Sequence, residues 1–240
     1  ERVETGLQRL FPQARIERID RDSTRRKGSL EAKLKRVHDG EADILVGTQM
    51  LAKGHDFPNL TLVGVLNADQ GLYSADFRSE ERLVQQLVQV TGRAGRADKP
   101  GEVWIQTFHP DNPAFAAIAS HDYRQFGSYA LAEREAAKYP PFAHLALLRA
   151  ESPKPDAALA FLRNAQRLAQ DLVSTDVQLM NPVASPMERR AGRYRAQLLV
   201  QASVRKPLHG FLTAWLDRLE DEKSGRKVRW SVDVDPMEMY

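Results

Sequence analysis

The chain has 240 residues, 42% of them hydrophobic and 28% charged, a balance that suits a folded protein with an apolar core and excludes intrinsic disorder. Lys and Arg number 35 against 32 Asp and Glu, so the net charge is only +3 and a nucleic-acid partner has to be met by a local basic surface. Cysteine is absent and the six histidines lie far apart, which excludes disulfides and thiolate chemistry within these residues and leads us to expect no metal; no apolar run approaches the roughly 20 residues of a membrane span, so no membrane partner is expected either.

The chain opens Glu1-Arg2-Val3-Glu4 without an initiator methionine and reads as a C-terminal fragment of something larger, long enough for two domains. Helical spacing runs from Val3 to Leu10, a short alternating strand from Ala14 to Asp20, and a second helix from Leu30 to Val37. Two continuous apolar runs follow, Ala42 to Val46 and Leu60 to Leu66, the pattern of parallel strands buried on both faces. Glu80 to Thr91 reads as a helix and Gly101 to Phe108 as a strand, so the first part is expected to be a doubly wound α/β lobe over residues 1–110. Residues 111–142 form an alanine-rich helical connector that ends at the prolines of KYPPF, Lys138 to Phe142. Residues 143–240 then read as an α+β domain of β-α-β-β-α-β order: strand His144 to Ala150, helix Pro155 to Val173, strands Asp176 to Met180 and Tyr194 to Ala202, helix Leu208 to Glu220 and strand Lys227 to Asp235. Trp104 with Phe108, and Phe211 with Trp215, fall at core spacing, and Tyr139 and Phe142 suit interdomain packing.

The octet QVTGRAGR, Gln89 to Arg96, is preceded by the glycine-rich run VGTQMLAKGHDFP, Val46 to Pro58. Arg93 and Arg96 are separated only by Ala94 and Gly95, so both guanidinium forks can reach one phosphate chain. A finger of this kind is worth roughly 10³ to 10⁵ in the rate of phosphoryl transfer, about 4 to 7 kcal/mol of barrier. No loop of the form G-x-x-x-x-G-K-[ST] and no acidic D-E-x-H tetrad occurs anywhere in the 240 residues. Fingers without a phosphate cradle are expected where ATP sits in a cleft between two lobes and this chain supplies the second.

RIDRDST (Arg18 to Thr24), the run Val46 to Asp69, DFRSEER (Asp76 to Arg82) and QVTGRAGRA resemble second-lobe motifs, and KYPPF, PMERRAGRYRAQLL (Pro186 to Leu199) and WSVDVDP (Trp230 to Pro236) resemble a C-terminal domain, of the primosomal protein N′ family, replication-restart DNA helicases of superfamily 2. The octet alone indicates only the superfamily; the run Lys53 to Asp69 and the C-terminal signatures narrow it. The resemblance covers essentially the whole chain. It implies a RecA-like lobe, a 3′ to 5′ helicase acting on stalled forks and D-loops, ATP and Mg2+ shared with an absent first lobe, and zinc in an insertion preceding Glu1. Branched and single-stranded DNA, the acidic tail of single-stranded-DNA-binding protein, other primosome proteins and through them the replicative helicase are the implied partners, in a bacterial, cytoplasmic and nucleoid-associated setting.

On that resemblance Arg93 and Arg96 contact the γ-phosphate, Arg96 being the better finger. Gly54, Asp56, Gln89 and Gly92 face the nucleotide, and Thr48 touches the DNA backbone. Gln89, where RNA-directed members often carry histidine, leans to the DNA branch. The competing readings are a solvated arginine pair at a helix end and, for Asp56, a turn aspartate before Phe-Pro. Lys53 and His55 are within reach of phosphate or simply solvated. Asp20 and Asp22 read as a solvated Asx turn with Thr24, and Asp69 and Asp76 as structural hydrogen-bonding groups. Arg189, Arg190, Arg193 and Arg195, with Tyr194 among them and Gly192 at the turn, interleave cations with an aromatic ring as single-strand binding requires; the alternative is a charged β-turn that satisfies Glu188 and water. Arg205 lies where the family's pocket for the acidic tail has an arginine. Two other functions remain open on the sequence: a nucleic-acid or partner-binding module that keeps a motor-like lobe as scaffold, and a different superfamily motor acting on RNA or on branch migration.

Overall fold

In the computed structural model, residues 2–20, 23–24, 26, 28–47, 57, 59–74, 76–92, 94, 100–222 and 228–239 are described. The chain divides into two compact units, Glu1–Tyr73 with Glu80–Asp122, and Ser74–Ser79 with Tyr123–Tyr240.

The first unit alternates helix and strand: α1 (Arg2–Leu10), β1 (Ile16–Ile19), α2 (Ser29–His38), β2 (Ile44–Gly47), β3 (Leu62–Val65), a 3₁₀ turn (Ala68–Gly71), α3 (Ser79–Thr91), β4 (Glu102–Ile105) and α4 (Pro113–Ser120). β1 pairs in parallel with β2, and β3 in parallel with β4. Parallel neighbours need a crossover, and α2 and α3 supply one each, so the expected mixed α/β class with parallel pairing is met. On β1, Ile19 is fully buried and Glu17 nearly so. That carboxylate is paired on both oxygens, because α2 brings Lys33 Nζ to 2.7 Å and Arg36 Nη1 to 2.9 Å of it. Arg15 clamps Asp43 through its amide at 2.8 Å and its guanidinium at 2.7 Å, fixing the start of β2 beside β1. Asp20 and Ser23 bond each other reciprocally, 2.9 and 2.7 Å, which makes the Asp20 loop the turn that was expected; Asp22 lies outside the described residues.

Two expectations fail here. β3 is not covered on both faces: Leu62 and Gly64 are exposed while Val63 and Val65 are half-buried. Trp104 and Phe108, expected in the core, are 68% and 87% exposed. The register explains Trp104. It sits opposite Gly64, and Leu62 opposite Glu102, so the period of two places it on the bare side of the pair, away from Val103 and Ile105.

The second unit contains α5 (Tyr123–Ala136), β5 (His144–Ser152), α6 (Ala157–Leu168), β6 (Val177–Leu179), β7 (Val183–Arg190), β8 (Arg193–Ala202), α7 (Arg205–Asp221) and β9 (Arg229–Val234). Its five-stranded antiparallel sheet runs β6-β8-β5-β9, with β7 also pairing β8. The order is therefore β-α-β-β-β-α-β, one strand more than β-α-β-β-α-β. β7 has no apolar alternation because all but one of its residues are exposed, and a bulge shifts its register between Ala184 and Arg189. Residues 111–142, read as a connector, hold α4 in the first unit and α5 in the second.

Even-numbered residues of β5, β8 and β9 point to one face, where Leu148, Leu198 and Val200 pack with Phe161 and Leu162 of α6 and Phe211 and Leu212 of α7. Trp215 is fully buried and donates through Nε1 to the Ala165 carbonyl at 2.8 Å, tying α7 to α6; Phe211 and Trp215 are core, as expected. The opposite face holds backbone instead of helices. Gln197 Nε2 donates to the Met239 carbonyl at 2.9 Å, Gln201 Nε2 to that of Lys138, and Arg149 to that of Glu238. Phe77, from the inserted Ser74–Ser79 stretch, stacks on Tyr139 at 4.6 Å, and Arg78 donates to the Pro236 carbonyl at 3.1 Å. Phe142 is exposed.

Candidate motor residues and nucleic-acid interface

Arg93, Arg96, Gly54, Asp56 and Thr48 lie outside the described residues, as do Lys53 and His55. The helix that delivers the octet is described. α3 buries Leu83, Val84 and Leu87, and it approaches the 3₁₀ turn so closely that a Cβ on Gly71 would stand 2.9 Å from the Leu83 side chain. Only glycine fits there. Gln89 is exposed on the last turns of α3, and Gly92, one residue past its end, is exposed and donates its amide to the Val88 carbonyl at 3.0 Å. Gln89 is therefore displayed to solvent by a helix whose other side is locked into the unit.

Asp69 is structural, but its reach is longer than the sequence suggested. Its carboxylate accepts from Thr107 Oγ1 at 2.5 Å and from the Phe108 amide at 2.9 Å, stitching the loop after β3 to the loop after β4. The Thr107 hydroxyl first, and then the Phe108 amide, hold its pKa below the ordinary value. Asp76 is buried and accepts from the Arg78 amide at 3.0 Å, as a turn-forming aspartate does. The Asp69 stitch presents a groove of about 420 Å³ lined by Leu72, Tyr73, Phe108 and His109 among others. Tyr73 Oη and His109 Nε2 are 2.5 Å apart. Nothing in the sequence singles out this pair, because the two residues come together only through the parallel pairing of β3 and β4.

The arginine hairpin is built on a two-residue turn. Ala191 and Gly192 have φ of 49° and 78°, the pair of positive values that matches strand twist in a tight hairpin. Arg190 pairs with Arg193 and Arg189 with Tyr194. Paired residues share a face, so the five residues grouped by the sequence divide. Arg189 and Tyr194 lie on the helix-covered side, the guanidinium 5.2 Å from the ring centroid. Arg190, Arg193 and Arg195 lie on the other side. None of these three has an ion-pair or hydrogen-bond partner among the described residues, whereas Arg149 holds Asp233 at 2.5 Å and Arg218 holds Asp171 at 2.5 Å. Arg205, the first residue of α7, is 3.0 Å from Asp235 Oδ2, with both side chains more than a third exposed. Among the described residues no cluster of His, Asp and Glu could hold a metal ion, and no helix is long and apolar enough to cross a membrane.

Comparison with known proteins defines the class first. Residues 2–98 match the helicase conserved C-terminal domain, and residues 135–237 match the primosomal protein N C-terminal domain. The chain is 44% identical over 239 residues to the replication restart protein PriA of Haemophilus influenzae, covering 100% of this chain and 32% of that protein. It is 40% identical to the proteins of the same name from Bacillus subtilis, over 100% of the chain and 30% of the relative, and from Synechocystis sp., over 99% and 28%. The chain belongs to the PriA family of replication restart proteins and spans about a third of the length of these curated relatives.

Proposed function

We propose that this chain is the C-terminal part of an ATP-dependent 3′ to 5′ DNA helicase that recognises stalled forks and D-loops and restarts replication by primosome assembly. What carries the reading is the succession of a helicase C-terminal domain and a primosomal C-terminal domain along a chain that resembles PriA proteins from end to end. Residues 1–110 belong to the second RecA-like lobe, 111–142 connect, and 143–240 form the DNA- and partner-binding domain. Arg96 acts as the arginine finger with Arg93 beside it, while Gly54, Asp56, Gln89 and Gly92 face ATP and Mg2+, and Thr48 faces the DNA backbone. The first lobe supplies the phosphate loop, and a zinc-bearing insertion lies elsewhere in the protein. Arg189, Arg190, Arg193, Tyr194 and Arg195 contact branched or single-stranded DNA. Arg205 receives the acidic tail of single-stranded-DNA-binding protein, in exchange for its exposed partner Asp235. Further primosome proteins link it to the replicative helicase.

The test is strand separation by the full-length protein on a forked DNA duplex and on an RNA duplex of matched stability. ATP-dependent opening of the fork and not of the RNA supports the reading; opening of neither, with DNA binding intact, favours a binding module on a motor-like scaffold. The 240-residue chain alone should hydrolyse no ATP, since it has no phosphate loop. Hydrolysis at an appreciable rate would overturn the half-site argument.

A further inference from the structure

The hairpin arginines do not stand alone. At the end of the sheet where β7 and β8 turn, the antiparallel register carries the same row across the next two strands. Arg195 on β8 is opposite Glu151 on β5, and Glu151 is opposite Arg229 on β9. Residues opposite each other share a face. Arg190, Arg193, Arg195, Glu151 and Arg229 therefore lie on one face, the one that α6 and α7 leave bare. The row crosses three strand spacings, about 14 Å in all, the rise of about four phosphates on a B-form strand.

One row further along the same face the situation reverses. Gln197, Arg149 and Ser231 are opposite one another, and there Arg149 is bound to Asp233 and to the Glu238 carbonyl while Gln197 holds the Met239 carbonyl. The chain's own C-terminal residues occupy that row. The outer row is left open: Arg229 is 78% exposed, and its one ion pair, to Glu151, is long at 3.4 Å. An exposed pair of this kind contributes little to stability; Arg190 is exposed as well, and Arg193 and Arg195 are half-buried.

We propose that this row, Arg190, Arg193, Arg195 and Arg229, is a phosphodiester-binding track running across the strands from β7 to β9, in which Glu151 is a built-in competitor that phosphate displaces from Arg229. The proposal rests on the reading of the hairpin as a DNA contact and extends it to two residues, Glu151 and Arg229, that lie far from the hairpin in sequence. Arg189 is not part of this row, since it lies with Tyr194 on the other face of the hairpin. A row of fixed cations with one internal anion suits a flexible single strand, whose phosphates can follow the sheet edge while its bases point away.

The experiment is fluorescence anisotropy of a labelled oligothymidylate with the 240-residue chain, titrated over a range of salt. Arg229→Ala should weaken binding several-fold and reduce the slope of log K against log salt by about 0.7, the increment for one phosphate contact on single strands. Glu151→Gln should do the opposite and tighten binding. Effects of opposite sign from two surface substitutions cannot both arise from misfolding. Arg190→Ala with Arg193→Ala should flatten the slope by about twice as much. If the Arg190 and Arg193 variant weakens binding while Arg229→Ala and Glu151→Gln change nothing, the track stops at the hairpin and the extension is wrong. If the Arg190 and Arg193 variant itself binds as tightly as the parent chain, the hairpin reading is wrong and the track falls with it.

Discussion

The two units use their apolar residues differently. In the second, the inward positions of β5 and β8 meet α6 and α7 in one continuous core, and large side chains such as Leu148, Leu162 and Trp215 are wholly buried. In the first, apolar residues of comparable size, Leu62, Leu66, Trp104 and Phe108, stand more than half exposed on or beside the β3 and β4 pair, and α1 buries none of its residues. The second unit spends its sequence pattern on its own stability. The first holds its elements together with ion pairs and loop stitches, at Glu17, Asp43 and Asp69, and leaves apolar surface over.

The contrast is sharpest in tryptophan. Trp215→Ala should cost the second unit about 3–5 kcal/mol, read as a fall in its urea midpoint. Trp104→Ala should stay within about 0.5 kcal/mol. Equal losses would mean that Trp104 is as tightly packed as Trp215. Next in size is Lys33→Ala, which leaves the buried Glu17 carboxylate to Arg36 alone and should destabilise the first unit by about 1–3 kcal/mol; no change would mean that Arg36 and solvent suffice. Ala191→Gly relieves a left-handed alanine in the hairpin turn and should stabilise the second unit by about 1 kcal/mol.

The smallest effect is acid sensitivity. Asp43 is lowered to about 2 by Arg15, and Asp20 to about 2 by the Ser23 amide and then Arg18. Both folded values lie below the unfolded ones, so their stabilisation is complete above about pH 4 and is lost as pH falls through about 2. Arg15→Ala should reduce the loss of first-unit stability between those limits, measured by thermal melts at stepped pH. An unchanged profile would mean that other groups govern it.

Several elements were legible from sequence: α3, α6 and α7 fall close to where helical spacing placed them, and β5 and β8 close to where short runs rich in apolar residues placed them. β7 was not, since an exposed, bulged strand containing Pro186 carries no period to read. Trp104 misled because alternation tells which residues share a face but not whether anything covers that face. The hairpin arginines were visible as a cluster, yet their division between two faces, and their continuation through Glu151 to Arg229, exist only in the register of four strands. Tyr73 and His109 were invisible for the same reason. The octet and the glycine-rich run, by contrast, are local motifs, read from the chain without any tertiary information.

The arginine finger proposed at Arg96 has a direct kinetic signature. DNA-stimulated ATP hydrolysis by the full-length protein should therefore be measured for Arg96→Ala together with its affinity for ATP. A fall of roughly three orders of magnitude or more with affinity largely kept is the predicted result. A rate near that of the parent protein would rule out Arg96 as the finger and make the octet a structural feature of the lobe.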